Sequence, residues 1–259
     1  MKIVVVGASG ALGSRVADLL VERGHEVVRA SRATGVDAYT GTGLAAAFDG
    51  ADAVVDCLSL QTLKAKEAID FFETTATKIG RAATTAGVAH VVVVSIVNAG
   101  DPAVNAKFGY YQGKAAQEAA YGEVVDPAAL TILASVQWFE LAEQMMSSMG
   151  FGPIAAVPRM RCAPAAVADV AVAVADVVTA GPTEKRTIEV SGPVEMDLVD
   201  VAKAVAAQTG SPRWIFGVRF GGPAIRGGGL VPADPDVVTS TTLDGWLAGR
   251  ESANAGERR

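Results

Sequence analysis

Lys2-Ile3-Val4-Val5-Val6-Gly7-Ala8-Ser9-Gly10-Ala11-Leu12-Gly13 is the stretch that decides the fold. A β-branched run passes into three glycines spaced Gly-x-x-Gly-x-x-Gly. Helical periodicity follows over Ala11–Glu22, where Leu12, Val16, Leu19 and Leu20 share a face and Gly24 stands just past the end. A strand that runs through glycines into a helix builds a cradle for phosphate. The glycines permit a tight turn and let a pyrophosphate approach backbone N–H groups, and the helix dipole favours its charge. Gly7, Ser9, Gly10, Ala11, Leu12 and Gly13 are therefore the expected dinucleotide contacts. Three glycines alone carry little information; the strand–turn–helix setting makes them specific.

Outward from this stretch the chain keeps alternating. Strands are expected at Glu26–Ala30 and Ala51–Cys57, with a short extended piece near Val36–Tyr39 and a helix near Leu44–Phe48 between them. A long helix then ends near Ala86, with Gly87 as its stop. His90–Val94 is a nearly continuous apolar run, the pattern of a parallel strand covered on both faces. Lys107–Tyr121 reads as helix and Leu130–Ser135 as strand. Such alternation predicts an α/β, Rossmann-type doubly wound parallel sheet.

After about residue 136 the pattern loosens. Helices are expected at Phe139–Met149, Val167–Val178 and Leu198–Gln208, and a strand at Arg186–Val190. Gly217–Asp236 is rich in glycine and proline and reads as a long loop. Leu243–Leu247 reads as a short helix and Ser252–Arg259 as a frayed polar tail. One domain is expected, with a dinucleotide-binding core over 1–135 and a small, mainly substrate-binding lobe over 136–250.

Composition removes several function classes. Half of the 259 residues are hydrophobic and 19% are charged, which suits a globular chain with a sizeable core. The net charge of −6 leaves no basic surplus for phosphates, so no nucleic-acid partner is expected. No apolar run approaches the roughly 18 residues of a membrane span. Met1 leads directly into the strand pattern, with no room for a signal peptide, so a cytoplasmic protein is expected. Cys57 and Cys162 are the two cysteines and His25 and His90 the two histidines, too few for a disulfide framework or a metal site.

Two further patterns carry chemistry. The tip of the second strand reads Val28-Arg29-Ala30-Ser31-Arg32, with no acid to accept from a ribose 2′-OH. Ser31 and the always-charged guanidinium of Arg32 suit a 2′-phosphate, which points to NADP(H). Tyr110 and Lys114 lie four apart on an expected helix and share a face, an ammonium beside a phenol, which is a proton-transfer pair. Ser95 ends the buried strand before them and is the expected hydrogen-bond donor to a substrate oxygen. Cys57, Leu58 and Ser59 follow the 51–57 strand and are expected to pass over the adenine side of the cofactor.

With these residues in place, the chain resembles an atypical short-chain dehydrogenase/reductase of the NmrA-like, NAD(P)H-binding group. Lys2–Gly13, Arg29–Arg32, Gly87–Val97, Gly109–Glu118, Leu130–Glu140 and Leu230–Trp246 carry the resemblance. It departs from the group at Asn98, where glycine is usual, at Gly113 in the motif helix, and at Ala134 and Ser135. The resemblance implies a nicotinamide cofactor held in part by Ser95, Lys114 and Ser135. It also implies a C-terminal substrate lobe, where Trp138 and Phe139 would border a pocket and Phe220 and Leu230 would face it from a mobile loop. The expected activity is NADPH-dependent hydride transfer to a carbonyl, enone or quinone of a small, largely apolar molecule. A non-catalytic NADP(H) sensor and a sugar-nucleotide epimerase are the alternatives, and monomer and homodimer both stay open.

Overall fold

Seven parallel strands form the central sheet of the computed structural model, which describes residues 1–256 and the side chains of residues 1–250. β1 (Lys2–Val6) leads through the glycine turn into α1 (Ala11–Glu22) and returns as β2 (Glu26–Ala30). α2 (Leu44–Phe48) precedes β3 (Ala53–Asp56), and the long α3 (Ala65–Thr85) precedes β4 (His90–Ile96). The one-turn α4 (Pro102–Asn105) and α5 (Gly109–Val124) lead to β5 (Leu130–Ser135). Then come α6 (Phe139–Ser148) and the short strands β6 (Gly150–Phe151), β7 (Ile154–Pro158) and β8 (Arg161–Cys162). α7 (Val167–Ala180), β9 (Thr187–Ser191), β10 (Met196–Asp197) and α8 (Leu198–Thr209) follow. β11 (Trp214–Val218), α9 (Pro223–Arg226), β12 (Val237–Val238) and α10 (Leu243–Gly256) complete the described chain.

The sheet order is β2-β1-β3-β4-β5-β9-β12. Chain direction across the sheet reverses at β1, between β2 on one side and β3 on the other, so the carboxyl ends of β1 and β3 flank a crevice. Strand alternation sorts the core. Ile3, Val5, Val55, Val92 and Val94 face α1 and α7. Val4, Val6, Val54, Val91 and Val93 face α2, α3 and α5. A third core, with Phe139, Val157, Leu198 and Leu230, lies in the C-terminal lobe between α6, α8 and the small strands.

Several expectations give way. Val36–Tyr39 forms no strand; Asp37 makes one antiparallel bridge to Thr42, and its carboxylate accepts from the N–H of Tyr39 and Thr40. Left-handed Gly35, Gly41 and Gly43 bend the chain too tightly there for a ladder. The C-terminal part is not all lobe, since β9 and β12 extend the main sheet and α7 packs on α1. Gly217–Asp236 holds the end of β11 and the α9 turn, and its Leu230 bridges to Cys162 with full burial. Asn98, in the left-handed conformation at φ 58°, anchors this stretch through its amide, which donates to the Gly229 carbonyl at 3.0 Å. The last helix is longer than expected and includes Ser252–Gly256; the rest of the expected frayed tail, 257–259, lies outside the described residues.

Candidate functional site

The crevice has a backbone wall and a side-chain wall. On the backbone wall, Gly7 sits at φ 79°, its N–H donates to the Ala30 carbonyl, and the Gly10 N–H donates back to the Gly7 carbonyl at 2.9 Å. A Cβ on Gly13 would lie 2.3 Å from the Gly7 oxygen, so glycine is what lets α1 start against the turn. A Cβ on Gly7 would meet the Cys57 carbonyl carbon at 3.0 Å. No side chain caps α1 and no acid stands in its first turn, so its leading N–H groups and dipole are left for an anion. At the tip of β2, Ser31 opens a short turn in which its N–H donates to the Thr34 hydroxyl. Arg29 pairs with Asp18 of α1 at 2.5 Å. Arg32 is exposed, and among the described residues no hydrogen bond or ion pair holds its guanidinium.

The side-chain wall is α5. Lys114 is 3% exposed, and its ammonium donates to the Val94 carbonyl (3.0 Å), the Gln117 amide oxygen (2.9 Å) and the Leu58 carbonyl (3.3 Å). It also lies 4.5 Å from the centre of the Phe72 ring. The Gln117 amide N–H donates in turn to Asp56 at 2.9 Å, as does the Tyr121 hydroxyl. The other Asp56 oxygen accepts the Leu58 N–H. Burial pushes the Asp56 carboxyl above the usual carboxylate range, against the pull of the Leu58 N–H, Lys114, Tyr121 and Gln117. Gly113, unusual in a helix, has its reason here: a Cβ would lie 2.6 Å from the Phe72 ring, so glycine lets α5 lie directly on α3.

Tyr110 is partly buried, its ring edge-on to Phe72 at 5.6 Å. Its hydroxyl is 3.0 Å from the Ser59 hydroxyl, on the loop after β3. Tyr111, the neighbouring tyrosine, is buried and its hydroxyl accepts from Gln137. Ser95 does not join Tyr110. It shares the strand phase of Val91 and Val93, is 1% exposed, and donates to Glu118 of α5. Burial raises the Glu118 carboxyl, opposed by Ser95, Lys114 and Arg186. Ser135 is likewise engaged, accepting the Trp138 indole N–H at 3.0 Å and donating to the Val136 carbonyl.

The expected pocket residues divide. Phe139 is fully buried against Trp246, with ring centres 5.3 Å apart, and Leu230 is fully buried as well; both are core. Trp138 is partly buried and Phe220 exposed, the latter edge-on to Phe108 at 5.2 Å. Cys57 is half-buried, and desolvation together with the nearby Asp56 pushes its thiol up. Sequence reading missed Asp56, Gln117, Glu118 and Tyr121. The available signal was an acid inside an apolar strand, together with polar residues three, four and seven positions beyond Lys114 on one helix face.

Residues 3–102 match the model of the NAD dependent epimerase/dehydratase family. No curated protein matches the sequence. Among solved structures, the dTDP-4-dehydrorhamnose reductase of Clostridium acetobutylicum superposes with a TM-score of 0.76 at 14% identity, over 98% of this chain and 100% of the other. That of Bacillus anthracis, solved with NADP, gives 0.67 at 15%, over 96% and 97%. A short-chain dehydrogenase/reductase superfamily protein of Agrobacterium tumefaciens, solved with NAD, gives 0.64 at 16%, over all of both chains. The chain shares the fold of these solved structures, and its residues 3–102 carry the sequence pattern of the NAD dependent epimerase/dehydratase family.

Proposed function

We propose that the chain is an NADPH-dependent oxidoreductase that reduces a carbonyl, enone or quinone of a small, largely apolar molecule. The observation that carries this reading is the position of Tyr110 and Lys114 on α5. They face the carboxyl end of β3, which flanks the crevice opposite the glycine turn of β1, and that of β4 beside it. The turn fits a dinucleotide: Gly7 and Gly13 leave space that a Cβ would fill, and α1 offers uncapped N–H groups. Arg32, without a partner among the described residues and at an acid-less strand tip, favours the 2′-phosphate of NADP(H).

A nicotinamide dinucleotide held at the Gly7–Gly13 turn and by Arg32 would supply the hydride. Tyr110 gives a proton to the substrate oxygen as that oxygen gains its electron pair, and the Lys114 ammonium stabilises the negative charge left on the phenol. Asp56, through Gln117, holds Lys114 in place. Ile96, Tyr110, Leu141 and Met145 are each partly buried against the apolar core of the C-terminal lobe, which favours a largely apolar substrate.

The test is NADPH oxidation against a panel containing an α-diketone, an enone and an ortho-quinone. Tyr110→Phe is expected to lower kcat by about 100-fold or more while leaving the NADPH Kd within about twofold. The structural neighbours favour one second reading, a sugar-nucleotide reductase or epimerase. Calorimetric binding of UDP-glucose or a dTDP-hexose, without turnover on the apolar panel, would decide for it.

A further inference from the structure

The hydroxyl in contact with Tyr110 belongs to a different strand end from the one the sequence singles out. We propose that Ser59, on the loop after β3, is the hydroxyl partner of Tyr110 in proton transfer, in place of Ser95. The inference rests on the oxidoreductase reading above.

Strand phase removes Ser95. With Val91 and Val93 it points to the α3–α5 side of the sheet, where its proton goes to Glu118. Turning it toward the crevice would strip a buried carboxyl of that donor and leave it to bear its own desolvation cost. The next residue, Ile96, is partly buried against the lobe core, and its side chain carries no polar atom. β4 therefore offers the phenol no hydroxyl.

β3 does. Ser59 lies 3.0 Å from the Tyr110 oxygen. Its position is pinned from one residue away, because the Leu58 N–H donates to Asp56 and the Leu58 carbonyl accepts from Lys114. The same buried network thus fixes the ammonium, and beside it the chain that carries the hydroxyl. Phe72 also packs edge-on against the phenol ring, with ring centres 5.6 Å apart. Ser59 is exposed whereas Tyr110 is partly buried, so the serine joins the phenol to solvent. The proton balance closes. Tyr110 loses its proton to the substrate oxygen, Ser59 passes its own proton to the phenolate, and water returns one to Ser59. With the hydride from the reduced dinucleotide, one carbonyl becomes one alcohol and both residues end as they began. For a quinone carbon the same proton goes to the quinone oxygen.

Ser59→Ala, Ser59→Thr, Ser95→Ala and Tyr110→Phe test this together. Ser59→Ala is expected to lower kcat about 10- to 100-fold with KM and NADPH affinity within about twofold, and Ser59→Thr to recover most of the loss. Ser95→Ala is expected to cost several-fold less in kcat and to appear instead as a lower Tm. A readout without substrate is the Raman Fermi doublet of Tyr110, isolated by difference against Tyr110→Phe. It reports the phenol's hydrogen bonding and is expected to change in Ser59→Ala but not in Ser95→Ala. A Ser59→Ala kcat within twofold of wild type, an unchanged doublet, or a larger kcat loss in Ser95→Ala overturns the proposal while leaving the oxidoreductase reading in place, provided Tyr110→Phe is inactive. Turnover retained by Tyr110→Phe, or none by wild type on the panel, overturns both.

Discussion

The glycine turn after β1 and the α5 corner face the same crevice but are built from different materials. The turn is made of backbone: its shape comes from one positive φ, two short N–H···O bonds and the lack of a Cβ at Gly13. The α5 corner is made of side chains. Asp56, Gln117, Tyr121, Lys114 and two backbone carbonyls form a hydrogen-bonded set almost closed to water. A backbone site tolerates most side-chain changes and fails at the positions where any side chain is too much. A buried polar set fails wherever one partner is lost, because each orphaned group then carries its own desolvation cost.

The largest expected effect follows from that contrast. Gly13→Ala places a methyl 2.3 Å from the Gly7 oxygen and within 2.9 Å of its carbon, both backbone atoms that cannot swing aside. The turn must open or α1 must shift, and NADPH affinity is expected to fall by more than about 100-fold, a change of roughly 3 kcal/mol. Ser9→Ala, at an exposed position in the same turn, is expected to change affinity by less than about threefold, roughly 0.6 kcal/mol. Calorimetric titration of both variants checks this. Comparable losses in the two would mean that side chains, not backbone, hold the phosphate.

Next in size is Asp56→Ala. It leaves the Gln117 amide N–H and the Tyr121 hydroxyl buried without their acceptor and removes the counter-charge of Lys114. The expected cost is about 3 kcal/mol of folding stability, read from urea unfolding. NADPH affinity should change far less than in Gly13→Ala, since the turn is untouched. A stability loss below about 1 kcal/mol would show that the buried set is not organised around Asp56.

The same contrast explains what could be read from sequence. The turn was legible because glycine spacing between a strand and a helix encodes backbone shape directly. Tyr110 and Lys114 were legible as a pair because four residues is one helical turn. Which serine meets them was not: Ser95 and Ile96 are adjacent, and only the phase of β4 decides which of the two faces the crevice. Asp56 reads as one polar residue at a strand end until α5 is laid beside it. Phe139 and Leu230, expected at a pocket, are core, because apolar side chains carry no mark of what they pack against. The α9 turn was hidden inside Gly217–Asp236, since four residues opened by Pro223 and closed by Gly227 show no period.

Arg32 gives the smallest expected effect and sharpens the contrast, because it is the one place where the backbone wall depends on a side chain. The turn recognises pyrophosphate, which NADH and NADPH share, so it cannot choose between them. The choice falls to the tip of β2, where the two arginines differ in what they touch. Arg29 is held by Asp18 on α1, whereas no partner holds Arg32 among the described residues. A guanidinium–phosphate contact is charge-assisted and worth about 1.5–3 kcal/mol, or roughly ten- to a hundredfold in affinity. Wild type is therefore expected to bind NADPH more tightly than NADH by about that factor, and Arg32→Ala to lose most of the difference through weaker NADPH binding, with NADH nearly unchanged. Arg29→Ala breaks an exposed ion pair, worth at most about 1 kcal/mol, and should leave the preference intact. The preference should also shrink as salt is raised, because the tip is exposed and the contact is screened within a Debye length of about 8–10 Å. Titrations of both dinucleotides into the three proteins at two salt concentrations decide it: equal wild-type affinities, or a preference lost with Arg29 and not with Arg32, would move the 2′-phosphate away from this arginine.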